Sequence, residues 1–234
     1  WGNHDNESEK GVIWQCEKLE NAKNCLFKRG SVTGTGNYTV GVFDKNNNLK
    51  RILYMLNSHG SWCASEKSLA SGVKRDYGFE PDQIAWLDAL GEKIEKEYGK
   101  IPSFACFHTA TVDLIEVLEK KGVYDRQTRF KTECFKPYKW EKNGEFGELN
   151  ETLQIVNPPI MPLLKKLNVD GVFLGHTHIN NFSVVSDGIR WTQGLKTGKY
   201  GYNREDLLGG TVVDFSLKSK DFTVFHMYTH EKEN

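Results

Sequence analysis

Two kinds of hydrophobic pattern run through this chain. Alternation with a period of two, or a short continuous apolar run, predicts a strand, whereas apolar residues spaced by three and four predict a helix. The predicted strands are residues 36–43, 49–56, 103–107, 169–173, 181–185, 189–192, 211–215 and 222–228. The predicted helices are residues 9–26, with a break at Asn24-Cys25, and residues 81–98, 112–121 and 157–167. Helices that intervene between buried strands indicate an α/β fold.

Two of the predicted buried strands lead into histidine. Residues 103–107 precede His108, and residues 169–173 continue through Leu174-Gly175 into His176-Thr177-His178. Gly175 allows the backbone to turn sharply there. Functional groups in such folds are carried at strand ends and on loops, and neutral imidazole is the commonest metal ligand in proteins. His108, His176 and His178 are therefore candidate metal ligands.

Gly2-Asn3-His4-Asp5, at the other end of the chain, is a second motif that resembles a functional site. Each candidate has an ordinary alternative. Asn3 could be a turn residue, His4 and Asp5 a loop pair, and His108 a core histidine, while the two histidines after Gly175 could lie on the surface. The occurrence of all of them in one chain, at predicted strand ends and in a loop, favours the functional interpretation.

The charge composition excludes several classes of partner. The chain has 234 residues, with 31 basic and 31 acidic side chains and a formal net charge of zero. This balance gives no signal for binding nucleic acid or an anionic membrane. No apolar run reaches the roughly 20 residues of a membrane helix. We therefore expect no nucleic-acid or membrane partner.

The cysteines and the glycosylation motifs bear on the compartment. Five cysteines without a C-x-x-C pair are typical of scattered thiols, although a bridge such as Cys16 to Cys25 stays open in an oxidising compartment. Asn-x-Ser/Thr motifs matter only in a secretory setting, which they weakly favour. They occur at Asn6, Asn37, Asn150 and Asn181.

Taken in order, the motifs resemble part of a known family signature. Gly2-Asn3-His4-Asp5, His108 and Gly175-His176-Thr177-His178 are similar to the back half of the calcineurin-like metallophosphoesterase signature, whose order is D-x-H, G-D-x-x-[DY], G-N-H-[DE], H and G-H-x-H. The flanking sequence resembles the purple-acid-phosphatase-like branch, and the resemblance covers nearly the whole chain. Its matching stretches are 56–58, 83–87 and 175–182.

The resemblance implies a four-layer α/β/β/α sandwich. The two front motifs have no counterpart here, so it also implies that residues 1–234 are the C-terminal portion of a single domain that lacks its N-terminal strands. The protein's own N-terminal segment would then supply the remaining metal ligands.

The resemblance further implies two metal ions, of Fe, Zn or Mn. Asn3, His108 and His176 would ligate one ion, and His178 would ligate the other. The implied function is the hydrolysis of phosphomonoesters by a hydroxide that the dinuclear centre activates. A catalytically inactive metallophosphoesterase-like binding or scaffold protein is the alternative.

The resemblance also implies two catalytic residues. His4 would face the substrate phosphate as a general acid or charge stabiliser, and Asp5 would hold the His4 ring.

Three other regions carry expectations about the surroundings of this site. Residues 122–153 form a long polar segment with several aromatic residues, which is either a lid or binding wall or a surface excursion. Residues 194–202 are rich in glycine and tyrosine and could pass close to the site. His59, after the strand at 49–56, is interpreted as a solvated loop residue.

Overall fold

The computed structural model describes residues 1–5, 7, 9–59, 78–123 and 138–231. Within these ranges, the four α-helices are α1 (Gly11–Glu20), α2 (Pro81–Tyr98), α3 (Asp113–Lys120) and α4 (Met161–Lys166). The strands of the central sheet are β1 (Tyr38–Phe43), β2 (Leu49–Met55), β3 (Ser103–Cys106), β8 (Val169–Leu174), β9 (Ser183–Ser186) and β10 (Ile189–Gln193). The other strands are β4 (Ala110–Thr111), β5 (Tyr138–Trp140), β6 (Gly147–Leu149), β7 (Ile155–Val156), β11 (Gly209–Phe215) and β12 (Phe222–Tyr228).

The fold is α/β with a mixed six-stranded central sheet, in the order β1-β2-β3-β8-β10-β9. The four inner strands are parallel, whereas the edge strands β1 and β9 run antiparallel to their neighbours. Met55 on β2 is in register with Cys106 on β3, and Cys106 is in register with Phe173 on β8. The segments that follow these three strands therefore leave the sheet side by side at one edge.

The helices on one face of the sheet form the main core. The cluster joins Leu87, Leu114 and Leu164 of the helices to Tyr54 and Val172 of the sheet. The pattern in the sequence explains helix α2, because Pro81 occupies its first turn and Glu80 and Gln83 form a capping box there. Gly99 ends the helix at a φ of 77°, a conformation that glycine adopts without strain.

The β11–β12 hairpin packs on the opposite face of the sheet. The Phe104 ring of β3 meets the rings of Phe215 and Phe222 edge-on, at centroid distances of 5.7 and 4.8 Å. An aromatic layer therefore joins the hairpin to the sheet. The α/β prediction is confirmed at the level of a mixed sheet covered by helices.

Some sequence predictions differ from the structure in detail. The predicted helix at 9–26 is shorter, since α1 ends at Glu20 and Asn24 adopts a φ of 63°. Cys16 and Cys25 are free thiols.

Every described helix falls short of the length and apolar character that crossing a bilayer requires. The prediction for residues 122–153 lies partly outside the described residues, and its described part contains the short β5–β6 sheet.

Candidate metal centre

Three polar atoms from distant parts of the chain converge at the edge of the sheet where β3 and β8 end. Asn3 Oδ1 lies 2.8 Å from His108 Nε2 and 3.1 Å from His176 Nδ1, and the two ring nitrogens are 3.3 Å apart. We call Asn3, His108 and His176 the triad. Ligands in open α/β sheets bind beyond the carboxyl ends of the strands, which is where the triad lies.

The hydrogen bonding of the triad fits a cation. His176 Nε2 lies 2.7 Å from Gln154 Oε1, an acceptor, so Nε2 carries the proton and Nδ1 presents a lone pair to the triad. Asn3 Oδ1 is also an acceptor and lies only 3.1 Å from that nitrogen. Both acceptors also lie within 3.3 Å of His108 Nε2, so a proton on that nitrogen or a bound cation can bridge them.

The spacing within the triad also fits a cation. At a bond length of about 2.1 Å, neighbouring ligands are about 3.4 Å apart around a tetrahedral ion such as zinc and about 3.0 Å apart around an octahedral ion. The three observed separations, 2.8, 3.1 and 3.3 Å, are hydrogen-bond lengths that lie close to the octahedral value. Two imidazoles and one amide oxygen form a mixed N and O ligand set, which suits Fe, Zn or Mn.

Local backbone structure brings the triad together. The His108 ring packs between Gly2 and Gly175, where a Cβ atom at either position would come within 2.9 Å of the ring. A side chain at either position would therefore displace His108. His176 adopts a φ of 75°, which is strained for a residue other than glycine and turns its ring towards the triad.

Burial and neighbouring imidazoles keep the triad histidines neutral. Burial is the main cause that lowers the pKa of His108 from 6.5 to about 3, and the nearby His176, His4 and His178 lower it further. Burial, then His178 and His4, also lower the pKa of His176. Both rings are therefore in the neutral form, which is the form that coordinates a metal ion.

His178 lies outside the contacts of the triad, at a site of its own. Its Nδ1 donates a hydrogen bond to the Tyr202 carbonyl oxygen at 2.8 Å, and its ring stacks on the Tyr202 ring at 4.1 Å. His178 still lowers the pKa of both triad histidines, so it lies near them. The four predicted ligands are therefore arranged as three together and one apart.

The structure gives the predicted catalytic pair different contacts from those expected. His4 Nδ1 lies 2.7 Å from Glu7 Oε1, and the His4 side chain is 63% exposed. The Asp5 carboxylate, expected to hold the His4 ring, accepts a hydrogen bond of 2.6 Å from the Gly2 backbone nitrogen. The physical reason is the tight turn between Gly2 and Asp5, which brings that carboxylate back over the backbone beside Asn3.

The sequence did not identify Gln154 and Glu151 as site residues. Both belong to the chain that follows β6, and they contact His176 and the backbone of His178 respectively. Glu151 lies within the long polar segment at 122–153 and Gln154 directly follows it, so the end of this segment contacts the histidines. The glycine- and tyrosine-rich segment does approach the site, because Tyr202 contacts His178.

His59 is buried, with 6% exposure, and is not the solvated residue that we expected.

Groups of three or more His, Cys, Asp or Glu side chains that could hold a metal ion are absent from the described residues. The triad has only two such residues and takes its third donor atom from an amide. Comparison with protein-family models, with curated proteins and with solved structures finds no match for this chain.

Proposed function

We propose that this chain is the metal-binding portion of a phosphoesterase that hydrolyses phosphomonoesters at a dinuclear centre. The convergence of Asn3 Oδ1, His108 Nε2 and His176 Nδ1 within 3.3 Å of one another carries the proposal. These residues would hold one ion, and His178 would contribute to the second. The protein's own N-terminal segment would add the remaining ligands and the strands that complete a four-layer α/β/β/α sandwich.

A pair of bound cations supplies two effects, the neutralisation of charge on the phosphoryl oxygens and a lower pKa for an attacking water. The residues of this chain do the rest. The triad would fix the position of one ion. Gln154 orients the His176 ring by accepting a hydrogen bond from its Nε2–H. The proposed substrate is a phosphate monoester, bound above the exposed edge where His4 lies.

His4 is the proposed proton donor to the leaving group. Glu7 holds its ring through Nδ1, and Nε2 has no hydrogen-bond partner among the described residues. In its imidazolium form the exposed ring would donate the Nε2 proton to the leaving oxygen and would be left neutral, with its Nδ1–H still on Glu7. Asp5 acts one step away, by shaping the turn that carries both Asn3 and His4.

The first test measures metal binding. The chelator-treated protein is titrated with Zn²⁺ and Mn²⁺ by calorimetry, and bound metal is counted by elemental analysis. We expect His108→Ala and Asn3→Ala to weaken binding by at least about 100-fold, the upper end of the loss seen when residues that only support a ligand are changed. His230→Ala is the matched control, because His230 is exposed on the turn after β12. Equal affinity in all four proteins would overturn the proposal.

The second test measures hydrolysis of p-nitrophenyl phosphate by the metal-loaded protein together with its N-terminal segment. We expect His4→Ala to lower kcat while metal content persists, because His4 lies outside the triad. Loss of metal in that variant would instead make His4 a ligand. Metal binding without hydrolysis would favour the inactive binding or scaffold protein.

A further inference from the structure

The carboxylate of Glu151 ties together three segments around His178. Its Oε1 accepts hydrogen bonds from the backbone nitrogens of His178 and Ile179, the latter at 2.8 Å. Its Oε2 accepts a hydrogen bond of 2.8 Å from the Tyr202 hydroxyl. Hydrogen bonds to an ionised carboxylate are roughly twice as strong as neutral ones. One side chain thus connects three segments: the chain after β6, the loop after β8 that carries His176 and His178 (the histidine loop), and the chain before β11.

Tyr202 controls the His178 ring in two ways. Its aromatic ring stacks on the imidazole at a centroid distance of 4.1 Å and an interplanar angle of 22°, which fixes the plane of the imidazole. Its carbonyl oxygen accepts a hydrogen bond of 2.8 Å from Nδ1 of the imidazole. A neutral histidine has one donor and one acceptor nitrogen, so this bond leaves the lone pair on Nε2.

The exposure of Tyr202 argues against a role in folding. Tyr202 is 58% exposed, so its ring is not part of the core. Yet it makes a stacking contact, a hydroxyl bond and a carbonyl bond, all directed at His178 or at Glu151. Orientation of the imidazole explains all three contacts together.

We propose that Glu151 and Tyr202 are positioning residues that hold His178 in the Nδ1–H tautomer, with Nε2 directed to bind a divalent cation. The inference rests on the proposed function, in which His178 ligates the second ion. Glu151 acts through Tyr202 and through the histidine loop, and Tyr202 acts directly on the ring. Partners that orient a ligating histidine in this way typically strengthen metal binding by about 10–100-fold.

The test begins with the tautomer, which needs neither metal nor substrate. Nitrogen-15 NMR of the imidazoles in the metal-free protein should show His178 protonated at Nδ1. Tyr202→Ala keeps the backbone carbonyl but loses the stack and the hydroxyl bond that hold it against His178, and Glu151→Gln weakens the same attachment, so in both variants we expect a mixture of the two tautomers. Tyr202→Phe keeps the stack and the carbonyl and should retain the Nδ1–H form. A merely structural role for these residues would leave the tautomer unchanged while altering stability.

The second measurement is Zn²⁺ affinity, with the number of bound ions counted in the whole protein. We expect Tyr202→Ala and Glu151→Gln to lose about 10–100-fold in affinity for one ion and to leave the ion at the triad unchanged. Tyr200→Ala and Glu205→Gln are matched controls, because Tyr200 is 94% exposed and Glu205 is also exposed. The controls should behave as the unmodified protein does.

The outcomes separate this inference from the proposed function. A wild-type His178 protonated at Nε2, or a tautomer that is the same in all variants, would overturn the positioning role. A wild-type protein with the Nδ1–H tautomer that binds no second ion would contradict the dinuclear function, while the tautomer shift in the variants would still support the orienting contacts.

Discussion

Two polar clusters lie at opposite ends of the same parallel strands, and they differ in how their charges are satisfied. Arg51 on β2 is 1% exposed, pairs with Asp170 on β8 at 2.7 Å, and donates to the Lys220 carbonyl oxygen at 2.6 Å. Its guanidinium also lies 4.1 Å from the centre of the Phe104 ring. At the other end, two acceptors of the triad, Asn3 Oδ1 and His176 Nδ1, lie 3.1 Å apart, and the uncharged His108 ring is the group that contacts both.

This difference separates a structural cluster from one that we propose is functional. The Arg51 cluster is complementary, because a cation meets a carboxylate, a carbonyl and an aromatic face. The triad contains no charged partner. A proton on His108 Nε2 can bridge its two acceptors, and we propose that a cation replaces that proton. Strained backbone such as that of His176 is common at functional sites.

The largest expected effect is on the structural cluster. Arg51→Ala should lower the free energy of unfolding by about 3–5 kcal/mol, because it leaves the Asp170 carboxylate partly buried without its partner. Urea denaturation measures the change. The double variant Arg51→Met with Asp170→Leu should recover most of the loss, since an apolar pair of similar volume needs no counter-charge. A small effect of Arg51→Ala would remove the contrast between the two clusters.

The matching change in the triad should have a much smaller effect on the metal-free protein. In His176→Gly, relief of the strained φ of 75° opposes the loss of the ring contacts, so we expect the unfolding free energy to change by less than about 1 kcal/mol. At a Zn²⁺ concentration of about 100 times Kd, the unmodified protein should gain about 2.7 kcal/mol and the variant nothing. A loss of 3 kcal/mol or more without metal, on the order expected for a buried pair, would make the triad structural too.

A third difference concerns pH. The pKa of His108 is lowered from 6.5 to about 3, so the unfolded chain binds a proton there at a pH where the folded chain does not. Stability from this group is fully present above pH 6.5 and is lost as the pH falls towards 3. The slope is at most about 1.4 kcal/mol per pH unit for one proton. Thermal unfolding of the metal-free protein between pH 7 and 4 should show this loss, and His108→Gln should reduce it. If the pH dependence of stability is the same in His108→Gln as in the unmodified protein, then His108 takes up its proton in the folded state as it does in the unfolded state.

Much of the fold follows from local patterns in the sequence. Helix α2 has its proline, its capping residues and its terminal glycine in the chain itself, and the structure has it at Pro81–Tyr98 as predicted. The β1–β2 hairpin likewise follows from alternation around a polar turn. The end of α1 was predicted a few residues too late: Asn24 does adopt the positive φ of 63° that suits a break, but the helix already ends at Glu20.

Long-range polar contacts are harder to predict. Asn37 appears in the sequence as a glycosylation motif, but the structure buries it to 1% exposure and gives its side chain four hydrogen bonds, with Asn57, Gln83, Thr33 and Gly34. Glu151, Gln154 and Tyr202 had no motif to mark them. Their roles arise only because three loops meet beside the histidines.

The sequence by itself determined the elements and the types of ligand-bearing residue, because helix caps, turn residues and strand-end histidines act within a few neighbouring positions. Only the tertiary structure decided which of these side chains meet. Asn3, His108 and His176 are joined by the parallel register of β3 and β8 and by the absence of a side chain at Gly2 and Gly175. Tyr202 separates His178 from them, since a stacking partner from another loop holds its ring. Such contacts depend on distances between segments that no local pattern encodes.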